Sequence, residues 1–163
     1  MSAEMSTLET RVVELIQADT YFDGITVLAT GKDPVSMAAQ VRAVSSGNNT
    51  DGKTGVCVVV GVVGASKMIG RPPEVTADVV AAVIEVPSIN NSGLAAIDIV
   101  PRVLLAVHDQ LVSESATRGS LDRIVSVDPA FELVNDPQGQ LYGIAGAVIF
   151  HVNFSARLVL RGS

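Results

Sequence analysis

The chain is poor in aromatic residues, in charge and in cysteine, and each shortage excludes something. It has no tryptophan, and aromatics make up 4% of it. Its core must therefore be built from Val, Ala, Leu and Ile. The single cysteine, Cys57, rules out an internal disulfide and fits synthesis in a reducing cytoplasm. Lysine and arginine number 11 against 17 acidic residues, for a net charge of −6, and no basic cluster occurs anywhere. The electrostatic footprint of a nucleic-acid-binding protein is missing. No apolar run follows Met1, so no signal peptide is expected, and no uncharged apolar stretch reaches the roughly 18 residues that a membrane span needs.

What is present is aliphatic: 48% of the 163 residues are hydrophobic, and only 17% are charged. A chain of this length is most simply one domain over 1–163, with 1–5 and 159–163 as loose termini. Low charge combined with positive mean hydropathy implies that part of the surface is covered by something else. Copies of the same chain are the simplest covering, because obligate interfaces are more apolar than free surface.

The stretch from Val75 to Val112 organises the rest. Val75 to Val86 is rich in Val, Ile and Ala, with Asp78 and Glu85 as its charges, and predicts a strand. Pro87 closes it, Asn90-Asn91-Ser92-Gly93 supplies turn chemistry, and Ser92 is a candidate N-cap. Leu94, Ile97, Pro101, Leu104, His108 and Leu111 then recur at helical spacing, with Val100, Val103 and Val107 widening the stripe. Pro101 either kinks this helix or marks its first turn.

Ahead of that stretch, Ser6-Thr7-Leu8-Glu9 has the form of a capping box, followed by a helical face of Leu8, Val12, Leu15 and Ile16. A short strand is predicted at Ile25 to Ala29. A helix follows from Asp33, with Pro34 at its first position, and a continuous apolar strand from Val56 to Val63. Gly47 to Gly55 and Gly64 to Glu74 read as loops, the second holding Pro72 and Pro73. Beyond the organising helix, Ser113 to Asp122 is a polar connection, and short strands are predicted near Ile124 to Val127 and Phe131 to Val134. After the turn signal Asp136-Pro137-Gln138-Gly139, alternation from Leu141 to Leu158 predicts one final strand, too long for a small sheet unless it bends or reaches a neighbour. The order of elements argues an α+β fold: a mixed, mostly antiparallel sheet with helices mainly on one face.

Chemical motifs are scarce. Gly47-Asn48-Asn49-Thr50-Asp51-Gly52-Lys53-Thr54 matches the letters of a phosphate-binding loop. That chemistry needs a strand before the loop and a helix after it, so that the helix N-terminus meets the phosphates. Here the predicted order is reversed. Cys57 lies in an apolar run with no histidine near it in sequence, and neither His108 nor His151 has a second ligand at metal spacing. The carboxylates are scattered over caps and turns. No catalytic residue, metal site or cofactor site is expected, and the chain is not expected to be an enzyme.

Three segments carry a resemblance: Asp19-Thr20-Tyr21-Phe22-Asp23-Gly24-Ile25-Thr26-Val27; Val83-Ile84-Glu85-Val86-Pro87-Ser88-Ile89-Asn90-Asn91; and Val134-Asn135-Asp136-Pro137 leading into the final strand. With the helix between the second and third, they resemble the tail-terminator (tail-completion) proteins of long-tailed bacteriophages. The resemblance implies a ring-forming subunit, in hexameric form, that caps the tail tube, stops its polymerisation and joins tail to head. The implied partners are other copies of the chain, the tail-tube protein and a head-side neck or connector protein. DNA would pass through the lumen without specific binding, and no membrane is involved. The implied location is the virion, with assembly in the host cytoplasm. Interface residues expected on this reading are Arg71, Glu85, Arg102, Asn153, Arg157 and Leu158. Glu85, a charge at the end of an apolar strand, would pair with Arg71 or Arg102 of a neighbour. A neck protein or tail-tube subunit, a nucleotide-binding protein and a small-ligand module are the other readings.

Overall fold

The computed structural model describes residues 3–29, 53–69, 74–118, 130–135, 137–140, 144 and 146–159. The fold is α+β: one mixed five-stranded sheet and, among the described residues, two α-helices. Helix α1 spans Ala3–Ala18, and a 3-10 turn follows at Thr20–Phe22. The strands are β1 (Thr26–Ala29), β2 (Val56–Ile69), β3 (Glu74–Glu85), β4 (Ala130–Val134) and β5 (Val148–Val159). Helix α2, Ala96–Arg118, connects β3 onward towards β4.

The sheet order is β1-β2-β3-β5-β4. β1 runs parallel to β2, and the other three pairings are antiparallel. Parallel neighbours need a long connection, and residues 30–55 separate these two strands in sequence. The helix predicted from Asp33 and the strand predicted at Ile124 to Val127 lie outside the described residues.

Alternation decides which face each strand residue takes. On one face, Val27, Val56, Val58, Val60, Ala77, Val79, Ala81, Val83, Phe150, Val152 and Phe154 are buried against both helices. α1 leans on β1 and β2 while α2 leans on β3 and β5, and the helices also touch each other. α1 contributes Leu8, Val12, Leu15 and Ile16, the predicted stripe. Each such aliphatic side chain taken from water contributes about 1.5–3 kcal/mol. On the second face, Cys57, Val59, Ala82, Ile84, Ile144 and Ile149 form a smaller cluster. Val56 to Val60 are thus buried on both faces, which explains why that run is apolar without alternation.

Several boundaries differ from the sequence expectation, each for a physical reason. α1 starts at Ala3, taking in part of the stretch expected to be a loose terminus, so Ser6 lies inside the helix. Its intended capping partner, Glu9, is instead buried at 6% exposure, and its Oε2 accepts a hydrogen bond of 3.0 Å from the Val62 amide. Val62 lies beyond the last β1 partner of β2, at a register jump between Val62 and Gly64. The carboxylate answers a backbone donor at that irregularity.

Gly64 to Ile69, expected as loop, is strand. Gly, Ala and Ser are weak strand formers alone, but the antiparallel ladder to Glu74–Asp78 gives them hydrogen-bond partners. α2 continues to Arg118, through residues expected as a polar connection. Its buried stripe is Ala96, Ile99, Val100, Val103, Ala106 and Val107, with Ile97, Pro101 and Leu105 exposed. Of the expected stripe, Val100, Val103 and Val107 are buried, and Leu94 and Leu104 pack partly against the core. Ile97 and Pro101 face out, whereas Ala96, Ile99 and Ala106 complete the packed face. Pro101 sits beyond the first turn on the exposed side, where water can serve the carbonyl that its missing N–H leaves free.

The final strand starts at Val148, not Leu141, after a break at Gly146 with φ of 76°. It pairs with β3 along its whole length, from Glu85↔Val148 to Glu74↔Val159. Its roughly 40 Å is matched residue for residue, so nothing overhangs, and β5 is an interior strand.

Candidate partner interface

The two ends of the sheet are built differently. At one end lies the row Thr26, Cys57, Ile84, Ile149 and Val134, one residue from each strand. The loops gathered there are sewn together by polar groups. Asn90 is their hub. Its Nδ2 donates to Glu85 Oε2 (2.9 Å) and to the Leu94 carbonyl (2.7 Å), and its Oδ1 accepts from the Ser92 amide (2.9 Å) and hydroxyl (2.6 Å). Asn91 Oδ1 accepts from the Thr54 amide at 2.7 Å, and the Asn91 amide donates to the Thr54 carbonyl at 3.2 Å. Lys53 N–H donates to the Gly24 carbonyl, and Val86 N–H to the Gly55 carbonyl.

Gly55 has to be glycine. Its φ is +82°, and a Cβ there would lie 2.5 Å from Asn90 Cα. The chain therefore enters β2 pressed against the turn that leaves β3. The described end of the phosphate-loop match is used up in this joint: Thr54 Oγ1 donates to the Ile89 carbonyl at 3.3 Å, and the chain runs on into a strand. The helix N-terminus that phosphate binding needs does not follow Thr54.

Glu85 has a definite place in this joint. Besides accepting from Asn90, its Oε1 accepts from the amide of Ala96, the first residue of α2, at 2.9 Å. A carboxylate at a helix N-terminus satisfies an orphan N–H and is stabilised by the helix dipole. This corrects the expectation for Ser92, whose hydroxyl accepts from Leu94 N–H and so shapes the turn before the helix.

Arg102 does not meet Glu85 within the chain. Its guanidinium lies 4.5 Å from the centroid of the Tyr21 ring, with Nη2 4.0 Å from Asp19 Oδ1, and its Nε is buried without a hydrogen-bond partner. Asp19 also caps the 3-10 turn by accepting from Tyr21 N–H at 3.0 Å. Burial raises the Tyr21 phenol above its ordinary 10.0; Arg102 opposes the shift and Asp98 adds to it. An intersubunit pair of Glu85 with an arginine would have to compete with these intrachain bonds.

The other end of the sheet is open on the face that carries neither of the two described helices. Val63 falls at the register jump in β2 and is 68% exposed. Beside it is a shallow hollow of about 240 Å³ whose lining includes Asp78, Val80, Asn153 and Ser155. The Ser155 hydroxyl reaches Asp78 Oδ1 at 3.5 Å. Of the expected interface residues, Asn153 is the one seen on this surface, half-buried. Arg157 and Leu158 hold register positions opposite Thr76 and Val75, and their side chains lie outside the described residues, as does Arg71. The fold does not bring Glu85, Arg102 and Asn153 together.

Between the two ends, His151 is paired across the sheet with Ala82 and Glu132. Burial lowers its pKa below the ordinary 6.5, with Glu132 opposing. Cys57 is buried, and desolvation pushes its thiol up to about 12, so it carries almost no thiolate at neutral pH. Among the described residues no group of three or more His, Cys, Asp and Glu is placed to hold a metal, and no helix is long and apolar enough to cross a membrane.

Asn90 and Gly55 did not stand out as keystones in the sequence, although the Asn-Asn-Ser-Gly run marked the turn. Val63 had a usable signal: glycines at 61 and 64 inside an apolar strand suggest a bulge. No protein-family model matches the sequence, and no curated protein matches it.

Proposed function

We propose that this chain is a structural subunit of a long-tailed bacteriophage, a tail terminator that forms a ring at the head-proximal end of the tail tube. The reading rests on the sequence resemblance. The observation that carries it is that the resembling segments, far apart in sequence, gather at one end of the sheet. Asp19 to Val27 runs through the 3-10 turn into β1, Val83 to Asn91 leaves β3, and Val134 leaves β4, with Thr26, Ile84 and Val134 in one cross-strand row. The low charge of the chain also favours self-association, and Val63 stands exposed beside the hollow. We assign the subunit contact to the open end around Val63 and Asn153, because polar groups at the other end are largely answered within the chain. Tail-tube and neck proteins are the further partners on this reading, and the net charge of −6 would let DNA slide through a lumen without adhering.

The test is molar mass in solution by light scattering, with electron microscopy of the same sample. The expected result is one species at six times the 16.9 kDa subunit mass, seen as an annulus with a central hole. A monomer at every concentration up to the solubility limit would overturn the ring.

A further inference from the structure

We draw no further inference here: the strongest candidate, the outer edge of β4 with its exposed Glu132 and Leu133, is an edge strand of the described sheet, and nothing in the structure shows what covers it.

Discussion

The same three strands, β2, β3 and β5, run through both ends of the sheet, yet the ends differ in what holds them. At the Ile84 end, side-chain amides, a hydroxyl and a carboxylate bond to backbone groups of segments distant in sequence. At the Val63 end, the β2–β3 ladder slips twice, between Val62 and Gly64 and between Ser66 and Met68. There an apolar side chain is left in water. The difference lies in how loops are anchored. Where loops must be held, buried polar groups need partners, and a missing partner is costly. Where the sheet ends openly, exposed side chains contribute little to folding and remain free to meet something else.

The largest expected effect comes from breaking the closed end at Gly55. Gly55→Ala combines a left-handed backbone with a Cβ 2.5 Å from Asn90 Cα. The left-handed conformation alone costs about 1–2 kcal/mol for a residue with a Cβ, and the clash must be relieved by backbone movement in addition. Gly93→Ala is the control: its φ is +75° but a Cβ would meet nothing within 4 Å. Denaturant midpoints should fall much further for Gly55→Ala than for Gly93→Ala. Equal losses would mean that close packing of the two segments does not matter.

Next comes Glu85. Replacement by Ala leaves the Ala96 amide and one Asn90 donor unanswered, and a loss of about 1–3 kcal/mol is expected. Glu85→Gln keeps an acceptor for the helix amide and should retain more stability. Helical content followed by circular dichroism during unfolding would check this. If Ala and Gln behave alike and both leave stability unchanged, Glu85 does not anchor α2.

The open end should respond the other way. Val63→Ser removes apolar surface that already faces water, so stability should change by less than about 0.5 kcal/mol. On the proposed subunit contact, the light-scattering mass should fall while the unfolding midpoint stays put. An unchanged mass would remove Val63 from that contact. A lowered midpoint would show that the ends are more alike than the exposures indicate.

How much of this was legible depends on the range of the interactions. The β3 strand, its turn and the helix after it follow from local pattern: β-branched residues, Pro87, the Asn-Asn-Ser-Gly run and helical spacing. The buried face of α2 was harder to assign, because two overlapping apolar stripes compete, and Ala96 and Ala106 carry weight only once packed on a sheet. The extension of β2 through Gly64, Ala65 and Ser66 rests on pairing with β3, which local propensity does not report. Alternation also continued across Gly146, where the backbone turns with positive φ. Glu85 was hidden for the same reason. It caps a helix from eleven residues upstream on a neighbouring strand, whereas capping patterns describe adjacent residues. The candidate interface was least legible, because the expected overhang of β5 vanished once its full pairing with β3 was known.

The smallest effect is expected from His151, which lies between the two ends. Its folded pKa is lowered from 6.5, chiefly by burial and against the pull of Glu132. The unfolded chain therefore takes up a proton more readily than the folded one as pH falls. By linkage, His151 leaves stability intact above pH 6.5 and lowers it as pH drops below that value toward its depressed folded pKa, with no further loss from this group beneath. Unfolding midpoints compared at pH 7.5 and at steps below 6.5 should show this slope, and His151→Gln should flatten it without changing the response at pH 7.5. Glu132→Gln sharpens the test. Removing the charge that favours the protonated ring should deepen the acid loss in the protein that keeps His151, and leave the His151→Gln variant unmoved by that route. If the slope survives in His151→Gln, another group carries it and His151 is not the source of the acid loss.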